Sequence, residues 1–370
     1  MDKILLVTAF TPSENAAAEK NTKLMLRDLC KSFDVDLVYF KYEYNKVYVN
    51  EAENIRVKKI IHNSKFFKYK NVAMRPMIHP YFSVRYRRSI QKFLNSLISE
   101  SQYKAIILDH SQVFLYGKYL KIRVHKILIA HDVMAQRTAR SKNSVMAWFC
   151  RWSERKVLNQ KNAVVSTFNQ KDVELIKSYY DKNAILCLNY IDERIIHYKR
   201  TSIDDSYVFF GNWKRPDNYE GALWFFKNVA PLIKEKTNIK VIGKGFPIEK
   251  MKLTNPLVHV DFLGFVDDPY PIIANCRAEL SPLFSGAGIK VKVIESLASG
   301  TPVVGTEITF EGFDSKYRDF MFEANTPETF YYGMLQCSKS LNQREDFKQM
   351  FIKDYQSLTI PKYIESLKYR

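Results

Sequence analysis

The sequence of 370 residues contains no apolar run of the roughly 18–20 residues that a transmembrane helix requires. Its longest apolar stretches, such as residues 4–10 and 126–130, have the length of single strands. The amino terminus also lacks the features of a signal peptide, because the polar residues 11–14 follow the first apolar run at once and no small-residue cleavage site is present. We therefore interpret that run as a first strand and expect a cytoplasmic protein.

Cysteine is scarce as well. The chain has five cysteines, an odd number with no C-x-x-C pair, and its seven histidines show no metal-ligand spacing. The cysteines are scattered as Cys30, Cys150, Cys187, Cys276 and Cys337. We therefore expect neither a disulfide framework nor a zinc site, which fits a reducing compartment.

Negative charge is under-represented, since 39 Asp and Glu stand against 57 Lys and Arg and the formal net charge is +18. Such an excess favours polyanionic partners, namely nucleic acid, anionic lipid headgroups or phosphorylated small molecules. A basic surface without a dedicated partner explains the charge equally well. The basic residues are spread along the chain and no zinc finger or RNP-like motif is present, so we expect no binding of nucleic acid.

Apolar strand-like runs alternate with helix-like patterns through most of the chain. In the first half, the predicted strands are residues 3–8, 35–40, 55–61, 105–109, 126–130 and 163–166, and the predicted helices are residues 17–31, 84–99, 145–160 and 170–180. The pattern restarts with predicted strands at residues 207–211, 239–243, 258–262, 278–281 and 302–306, and with helices at residues 218–235, 269–275 and 290–299. Continuous apolar strands flanked by helices predict parallel sheets covered on both faces.

The repeated pattern predicts an α/β protein with two Rossmann-like, doubly wound domains that face each other across a cleft. The polar residues 192–205 form the natural linker. We place an N-terminal domain at residues 1–192 and a C-terminal domain at residues 193–345. Residues 346–370 are predicted to be a helical tail, for which packing back on the N-terminal domain is one option.

One glycine-containing segment leaves a predicted strand and enters a predicted helix. Gly286 and Gly288 permit a positive φ and a close approach of the backbone to a ligand. The N–H groups at the start of the helix and the helix dipole then face an anion. Lys290 and Lys292 add positive charge, and Glu295 lies about one turn into the helix, where a carboxylate can accept hydrogen bonds from ribose hydroxyls. A tight turn with a capped helix is the alternative that this pattern alone leaves open.

The string at residues 286–304, G-A-G-I-K-V-K-V-I-E-S-L-A-S-G-T-P-V-V, resembles the donor-site signature of GT-B glycosyltransferases, specifically the family-4-like group (glycosyl transferases group 1). Residues 208–212 and 239–245 also look like parts of that family's donor domain, in matching order and spacing. The resemblance covers residues 160–325 well and the first 160 residues in outline.

The resemblance implies a GT-B fold whose first domain binds the acceptor and whose second domain binds a nucleotide-sugar of the UDP or GDP type. It also implies transfer with retention of anomeric configuration, with no bound metal and no cofactor. By carry-over, Glu295 is a catalytic residue that holds the donor's ribose, and backbone amides at residues 288–290 hold the diphosphate. The donor-binding residues so implied are Gly211, Asn212, Lys214, Gly243, Gly286, Gly288, Ile289, Lys290, Lys292 and Glu295.

The sequence departs from the family pattern at the donor sugar and at the phosphate. Ala287 stands where the family often has a glutamate that contacts the donor sugar, so the identity of the sugar stays open. Asn212 and Asn218 replace the family's Arg and Lys after the first donor-domain strand. Our choice for the missing phosphate charge is Lys290, with Lys214 and Arg215 as alternatives.

A histidine follows the predicted strand at residues 126–130. Polar residues at the carboxyl edge of such a sheet face the ligand, and the resemblance implies that His131 is a catalytic residue in contact with the donor sugar. The alternative is that His131 caps the following segment together with Asp132. His110 ends the preceding strand in the same way and is a candidate on the acceptor side, as is Arg137.

Residues 65–88 mix aromatic and basic side chains, the composition of a membrane-interface segment. An irregular loop plus an exposed helix face is the alternative. We expect a glycan or polyprenyl-linked acceptor and hypothesise peripheral contact with the inner face of the cytoplasmic membrane.

The predicted function is a retaining glycosyltransferase of surface polysaccharide synthesis. A GT-B nucleotide-sugar epimerase or hydrolase stays open, as does a non-catalytic nucleotide-sugar-binding partner subunit, the latter because of Ala287.

Overall fold

The computed structural model describes residues 1–367 with the exception of residues 15, 44, 122, 141, 142 and 287. The chain divides into two compact units. Unit 1 contains Met1–Tyr190 and Leu358–Arg370, and unit 2 contains Ile191–Ser357. Each unit has its own parallel sheet.

In the described residues of unit 1, seven strands form a parallel sheet in the order β3-β2-β1-β4-β5-β6-β7. The strands are β1 (Asp2–Thr8), β2 (Phe33–Lys41), β3 (Ile55–His62), β4 (Ala105–Asp109), β5 (His125–Ile129), β6 (Ala163–Thr167) and β7 (Ala184–Leu186). Four consecutive apolar residues of β1, from Ile4 to Val7, are at most 1% exposed. Such continuous burial is expected when helices cover both faces of a parallel sheet.

Helices pack on the sheet of unit 1 through apolar stripes. Ile90 and Leu94 of the fourth helix, for example, lie in the same hydrophobic cluster as Leu5 and Val7 of β1. The helices are α1 (Ala17–Leu29), α2 (Lys65–Ala73), α3 (Pro80–Ser83), α4 (Arg88–Ser99), α5 (Phe114–Lys118), α6 (Met134–Ala139), α7 (Ser144–Leu158) and α8 (Gln170–Tyr180).

Unit 2 has a second parallel sheet, with six strands among the described residues in the order β10-β9-β8-β11-β12-β13. Its elements in chain order are α9 (Glu193–His197), β8 (Ser206–Phe210), α10 (Pro216–Asn228), β9 (Thr237–Ile242), β10 (Val258–Gly264), α11 (Tyr270–Asn275), β11 (Ala278–Ser281), α12 (Val291–Ala298), β12 (Val303–Gly305), β13 (Met321–Glu323), α13 (Pro327–Gln336) and α14 (Leu341–Ser357). The last helix, α15 (Ile360–Ser366), belongs to unit 1.

The two parallel sheets confirm the predicted fold class of two Rossmann-like domains. The predicted helix at residues 84–99 is wrong at its start, because Pro80 opens the separate short helix α3 and α4 begins only at Arg88. Strands β7 and β13 were not predicted. Each has only three residues and lies at the edge of its sheet, so its apolar stretch is too short to indicate a strand.

In unit 2, helix α10 approaches the segment after β11 very closely. A Cβ added to Gly221 of α10 would lie 1.8 Å from the carbonyl oxygen of Pro282, which is far inside van der Waals contact. Glycine at this position therefore sets the distance between α10 and the start of the loop that follows β11.

Among the helices built from described residues, none combines the length and the hydropathy needed to cross a membrane.

Candidate functional site

The loop between β11 and α12 in unit 2 has the backbone conformation that its glycines predict. Gly286 has a φ of 122° and Gly288 a φ of 69°, both in the left-handed region that favours glycine. Ala287, where the family's first glutamate is missing, lies outside the described residues. Helix α12 then opens with Val291, whose N–H group faces away from the body of the helix. The loop thus leads into a helix start that favours an anion.

The side chain of Lys290 makes a hydrogen bond within its own loop. Its Nζ donates to the carbonyl oxygen of Gly288 at 2.5 Å and lies 3.9 Å from Oε2 of Glu311. Ile289 between them is half-buried. The ammonium group predicted to supply the phosphate charge is therefore held beside the two loop residues whose amides were predicted to bind the diphosphate.

Glu295 lies one turn into α12, and its carboxylate is held by a tyrosine of α11. The Tyr270 hydroxyl donates to Oε1 of Glu295 at 2.8 Å and lies 3.4 Å from Oδ2 of Asp192. Burial, together with the Glu295 and Asp192 carboxylates, raises the pKa of Tyr270 far above its usual value, so this hydroxyl stays a donor. Tyr270 was not predicted as a site residue, because an aromatic in a short helix reads as core.

Lys292 has a different carboxylate partner from Lys290. Its Nζ lies 4.0 Å from Oε1 of Glu279, a fully buried carboxyl of the central strand β11. Burial raises the pKa of Glu279 to about 7, although the charge of Lys292 opposes this shift. Burial also lowers the pKa of Lys292. The structure thus places Lys292 against a carboxyl beneath α12, a partner that was not predicted.

The ends of β8 and β9 meet at two glycines. A Cβ on Gly243, which has a φ of 124°, would lie 1.8 Å from the carbonyl oxygen of Gly211. Beyond Gly211, the side chain of Asn212 accepts from the N–H of Lys214 at 3.1 Å, and Asn218 donates to the carbonyl oxygen of Asn212 at 2.9 Å. The predicted donor-binding residues Gly211, Asn212, Lys214 and Gly243 therefore lie together at one edge of the unit 2 sheet.

In unit 1, His131 binds a carboxylate that was not predicted as a site residue. Asp109 ends β4, and its Oδ1 lies 2.8 Å from Nε2 of His131, which follows the neighbouring strand β5. Oδ2 of Asp109 accepts from the hydroxyls of Thr8 at 2.8 Å and Thr22 at 2.7 Å. Although burial alone would raise it, the electrostatic influence of the neighbouring His110 and His131 imidazoles and the hydrogen bonds from His131 and Thr22 hold the pKa of Asp109 well below its usual range.

His110 is stacked on His131, with ring centroids 3.5 Å apart and planes inclined by 9°. It is 4% exposed and has a φ of 73°, which is unusual for a residue with a side chain. Burial lowers the pKa of His110 to about 3, with smaller contributions from the charges of His131 and Arg85, so its ring is neutral at physiological pH. The structure therefore brings both predicted histidines together.

Arg137 pairs with Asp132, the residue after His131. Its guanidinium is 3.5 Å from Oδ2 of Asp132, and its side chain is 56% exposed.

Glu154 of α7 accepts from the N–H groups of Met134 at 3.0 Å and Ala135 at 2.8 Å, at the start of α6. This carboxylate, which was not predicted, anchors the segment that directly follows His131.

The atoms of Asp109, His110 and His131 that can bind a metal ion all lie within 4.8 Å of one another. Both carboxylate oxygens of Asp109 are already engaged by His131, Thr8 and Thr22. We therefore interpret the cluster as a hydrogen-bonding network.

Comparison with known proteins supports the resemblance seen in the sequence. Residues 204–340, within unit 2, match the family model described as Glycosyl transferases group 1. An uncharacterized 44.6 kDa protein in the cps region of Klebsiella pneumoniae is 22% identical over 279 residues, covering 68% of this chain and 68% of that protein. Unit 2 thus contains the part of the chain that is similar to this group of glycosyltransferases.

Solved structures share the fold over nearly the whole chain. HepE of Anabaena, solved in complex with UDP, gives a TM-score of 0.66 at 12% identity, with 99% of this chain and 100% of that chain covered. Sucrose-phosphate synthase of Thermosynechococcus elongatus gives 0.66 at 11% identity, with 98% and 96% covered. WaaG, a glycosyltransferase involved in lipopolysaccharide biosynthesis, gives 0.64 at 10% identity, with 97% and 98% covered. The predicted GT-B fold is confirmed.

Proposed function

We propose that this protein is a GT-B glycosyltransferase that moves a sugar from a nucleotide-diphosphate-sugar to a glycan or polyprenyl-linked acceptor. The observation that carries the proposal is the segment from β11 to β12. It combines two positive-φ glycines, a helix start and the Glu295 carboxylate held by Tyr270, inside the residues that match the glycosyl transferases group 1 model. HepE has been solved in complex with UDP and with UDP-glucose, which supports a donor of the UDP type.

The catalytic residues in this proposal are Glu295 and His131, as the resemblance implies. Glu295 accepts hydrogen bonds from the donor's ribose, and the loop amides with Lys290 stabilise the charge that develops on the leaving diphosphate. His131 of unit 1 contacts the transferred sugar. Transfer proceeds with retention of anomeric configuration and without a metal ion. The helix dipole and the lysines of the protein therefore stabilise the negative charge on the leaving diphosphate. The acceptor contacts unit 1, with His110 and Arg137 as candidates.

The biological setting that we propose is surface polysaccharide synthesis. The similar Klebsiella pneumoniae protein is encoded in the cps region, and WaaG acts in lipopolysaccharide biosynthesis.

We propose, in addition, that the cytoplasmic protein makes peripheral contact with an anionic membrane. On α2, Phe66 is 68% exposed and Tyr69 is 77% exposed, between Lys65, Lys68 and Lys70. Exposed aromatics flanked by basic side chains suit the boundary between headgroups and acyl chains. A polyprenyl-linked acceptor would be presented at the same boundary.

The donor-site assignment is tested by substituting Glu295 and measuring nucleotide release from a panel of UDP- and GDP-sugars, with and without acceptor. Loss of a charged hydrogen-bond acceptor is worth about 1.5–3 kcal/mol, so we expect Glu295→Ala to raise the donor KM roughly 10- to 100-fold while the thermal midpoint of the unliganded protein stays unchanged. Tyr270→Phe, which leaves the carboxylate in place but removes its donor, is expected to have a smaller effect of the same sign.

The matched control is Glu249→Ala, which removes an exposed carboxylate of unit 2 far from the loop in sequence. Unchanged donor use in Glu295→Ala would contradict the assignment of the whole loop. Isomerised donor without transfer would instead identify an epimerase. Donor binding without turnover, seen as a thermal shift with no nucleotide released, would identify a non-catalytic subunit.

A further inference from the structure

The two ring nitrogens of His131 have different surroundings. Nε2 lies 2.8 Å from Oδ1 of Asp109, whereas Nδ1 makes no hydrogen bond to any residue that the structure describes. The His131 side chain is 16% exposed, so one edge of the ring is accessible while the other is buried against the carboxylate. The ring therefore presents one nitrogen to the protein and the other to a ligand.

Asp109 is chemically restricted to accepting hydrogen bonds. It is 1% exposed, and hydroxyls of Thr8 and Thr22 donate to Oδ2, which leaves Oδ1 for His131. An ionised carboxylate has no proton to donate. The atom that faces Oδ1, Nε2 of His131, must therefore carry the hydrogen.

The orientation of the His131 ring is fixed from three sides. His110 lies parallel to one face at 3.5 Å, and the edge of the Phe168 ring approaches at a centroid distance of 4.9 Å. Asp109 holds the buried edge. A flip of the ring about the Cβ–Cγ bond would put Cε1 in the place of Nε2 and would break the hydrogen bond to Asp109.

We infer that Asp109 is a positioning residue, which keeps the proton of neutral His131 on Nε2 so that Nδ1 accepts a hydrogen bond from a hydroxyl group of the bound sugar. The part that concerns the sugar rests on the proposed function, whereas the part that concerns the proton does not. The ligand group that fits is a hydroxyl, since a phosphate oxygen without a hydrogen would face the electron pair of Nδ1 and also the neutral ring of His110.

Substitution of Asp109 by asparagine makes a sharp prediction. The hydroxyls of Thr8 and Thr22 both donate, so the single amide oxygen of the introduced side chain would turn toward them and its NH₂ group would face His131. Nε2 would then have to accept, and the proton of the neutral ring would move to Nδ1. The variant keeps the volume of the side chain but reverses the tautomer.

The test is ¹⁵N NMR of histidine-labelled full-length protein, at a pH where the titration shows the His131 ring to be neutral. The His131 signals are identified by their absence from the His131→Gln spectrum. We expect protonated Nε2 in the wild type, protonated Nδ1 in Asp109→Asn, and an unchanged tautomer in Thr22→Val, which removes only one of the donors to Asp109.

Kinetics supply the second readout. We expect Asp109→Asn to lower kcat roughly 10- to 100-fold, since Nδ1 would no longer accept from the sugar hydroxyl, while Thr22→Val keeps most of the activity. A wild-type ring protonated on Nδ1, or an Asp109→Asn ring still protonated on Nε2, would overturn the inference; the wild-type spectrum alone decides if the variant does not fold. The expected tautomers without turnover of any nucleotide-sugar would instead count against the proposed function.

Discussion

Glu154 is a carboxyl whose ionisation the fold opposes. It is 2% exposed, and burial raises its pKa to about 7 even though Tyr180 at 2.6 Å and the N–H groups of Met134 and Ala135 favour the charged form. The folded protein therefore keeps a proton on Glu154 at pH values where the unfolded chain has released it. This contribution to stability is complete below about pH 4.5, the ordinary pKa of the group, and is lost as the pH rises through about 7.

The size of the effect follows from the two pKa values. At 1.36 kcal/mol for each pKa unit, a rise from 4.5 to about 7 corresponds to about 3 kcal/mol of unfolding free energy. Glu154→Gln removes the titration and keeps the shape of the side chain. The stability of the wild type should therefore fall relative to that of the variant between pH 5 and pH 8. For a domain of this size, about 3 kcal/mol corresponds to roughly 6–12 °C in thermal midpoint.

The assay is the thermal midpoint of both proteins across that pH range, with the difference between them as the measured quantity, so that other titrating groups cancel. Glu174→Gln, on the exposed face of α8, is the matched control and should give a difference that does not change with pH. A pH-independent difference for Glu154→Gln would refute the reasoning. A difference of the opposite sign would show that the three hydrogen bonds outweigh burial.

Two further predictions concern packing and membrane contact. Gly221→Ala should lower the free energy of unfolding by about 1–3 kcal/mol, because the added Cβ would overlap the carbonyl oxygen of Pro282. The control Glu220→Ala, on the exposed side of α10, should change stability little. Equal melting curves for the two variants would contradict this close approach. The wild-type protein should float with phosphatidylglycerol-containing vesicles at moderate salt. Replacing the exposed Phe66 and Tyr69 by serine should weaken this binding roughly tenfold or more. If the wild type does not float, the membrane proposal is wrong.

Much of the fold was predictable because its strands are buried on both faces. The strands at residues 105–109 and 278–281 were predicted with their observed bounds. Placing His110 and His131 at one sheet edge followed from strand order alone, because β4 and β5 are parallel neighbours. The start of α4 was not predictable from periodicity, since the separate helix α3 depends on its own cap at His79.

The groups that the sequence did not reveal are the partners of the predicted site residues. Tyr270 beside Glu295, Glu279 beside Lys292 and Asp109 beside His131 are far from those residues along the chain, and only the tertiary structure joins them. Periodicity assigns such positions to the core. Pairings between elements that are distant in sequence carry no local pattern, and they stay invisible until the sheet order and the helix packing are known.

One physical signal was nevertheless present in the sequence. Glu279 stands between Ala278 and Leu280 in an apolar strand, and Asp109 ends another, so that burying either carboxyl costs several kcal/mol unless partners compensate for the lost hydration. A fold that keeps such a group must supply those partners. In this protein, His131 and two threonines hydrogen-bond Asp109, whereas Glu279 has Lys292 at 4.0 Å and its pKa is raised by burial to about 7. A carboxyl inside an otherwise apolar strand of an α/β protein therefore predicts a nearby cation or hydroxyl, and each of these two strands leads directly into a predicted site.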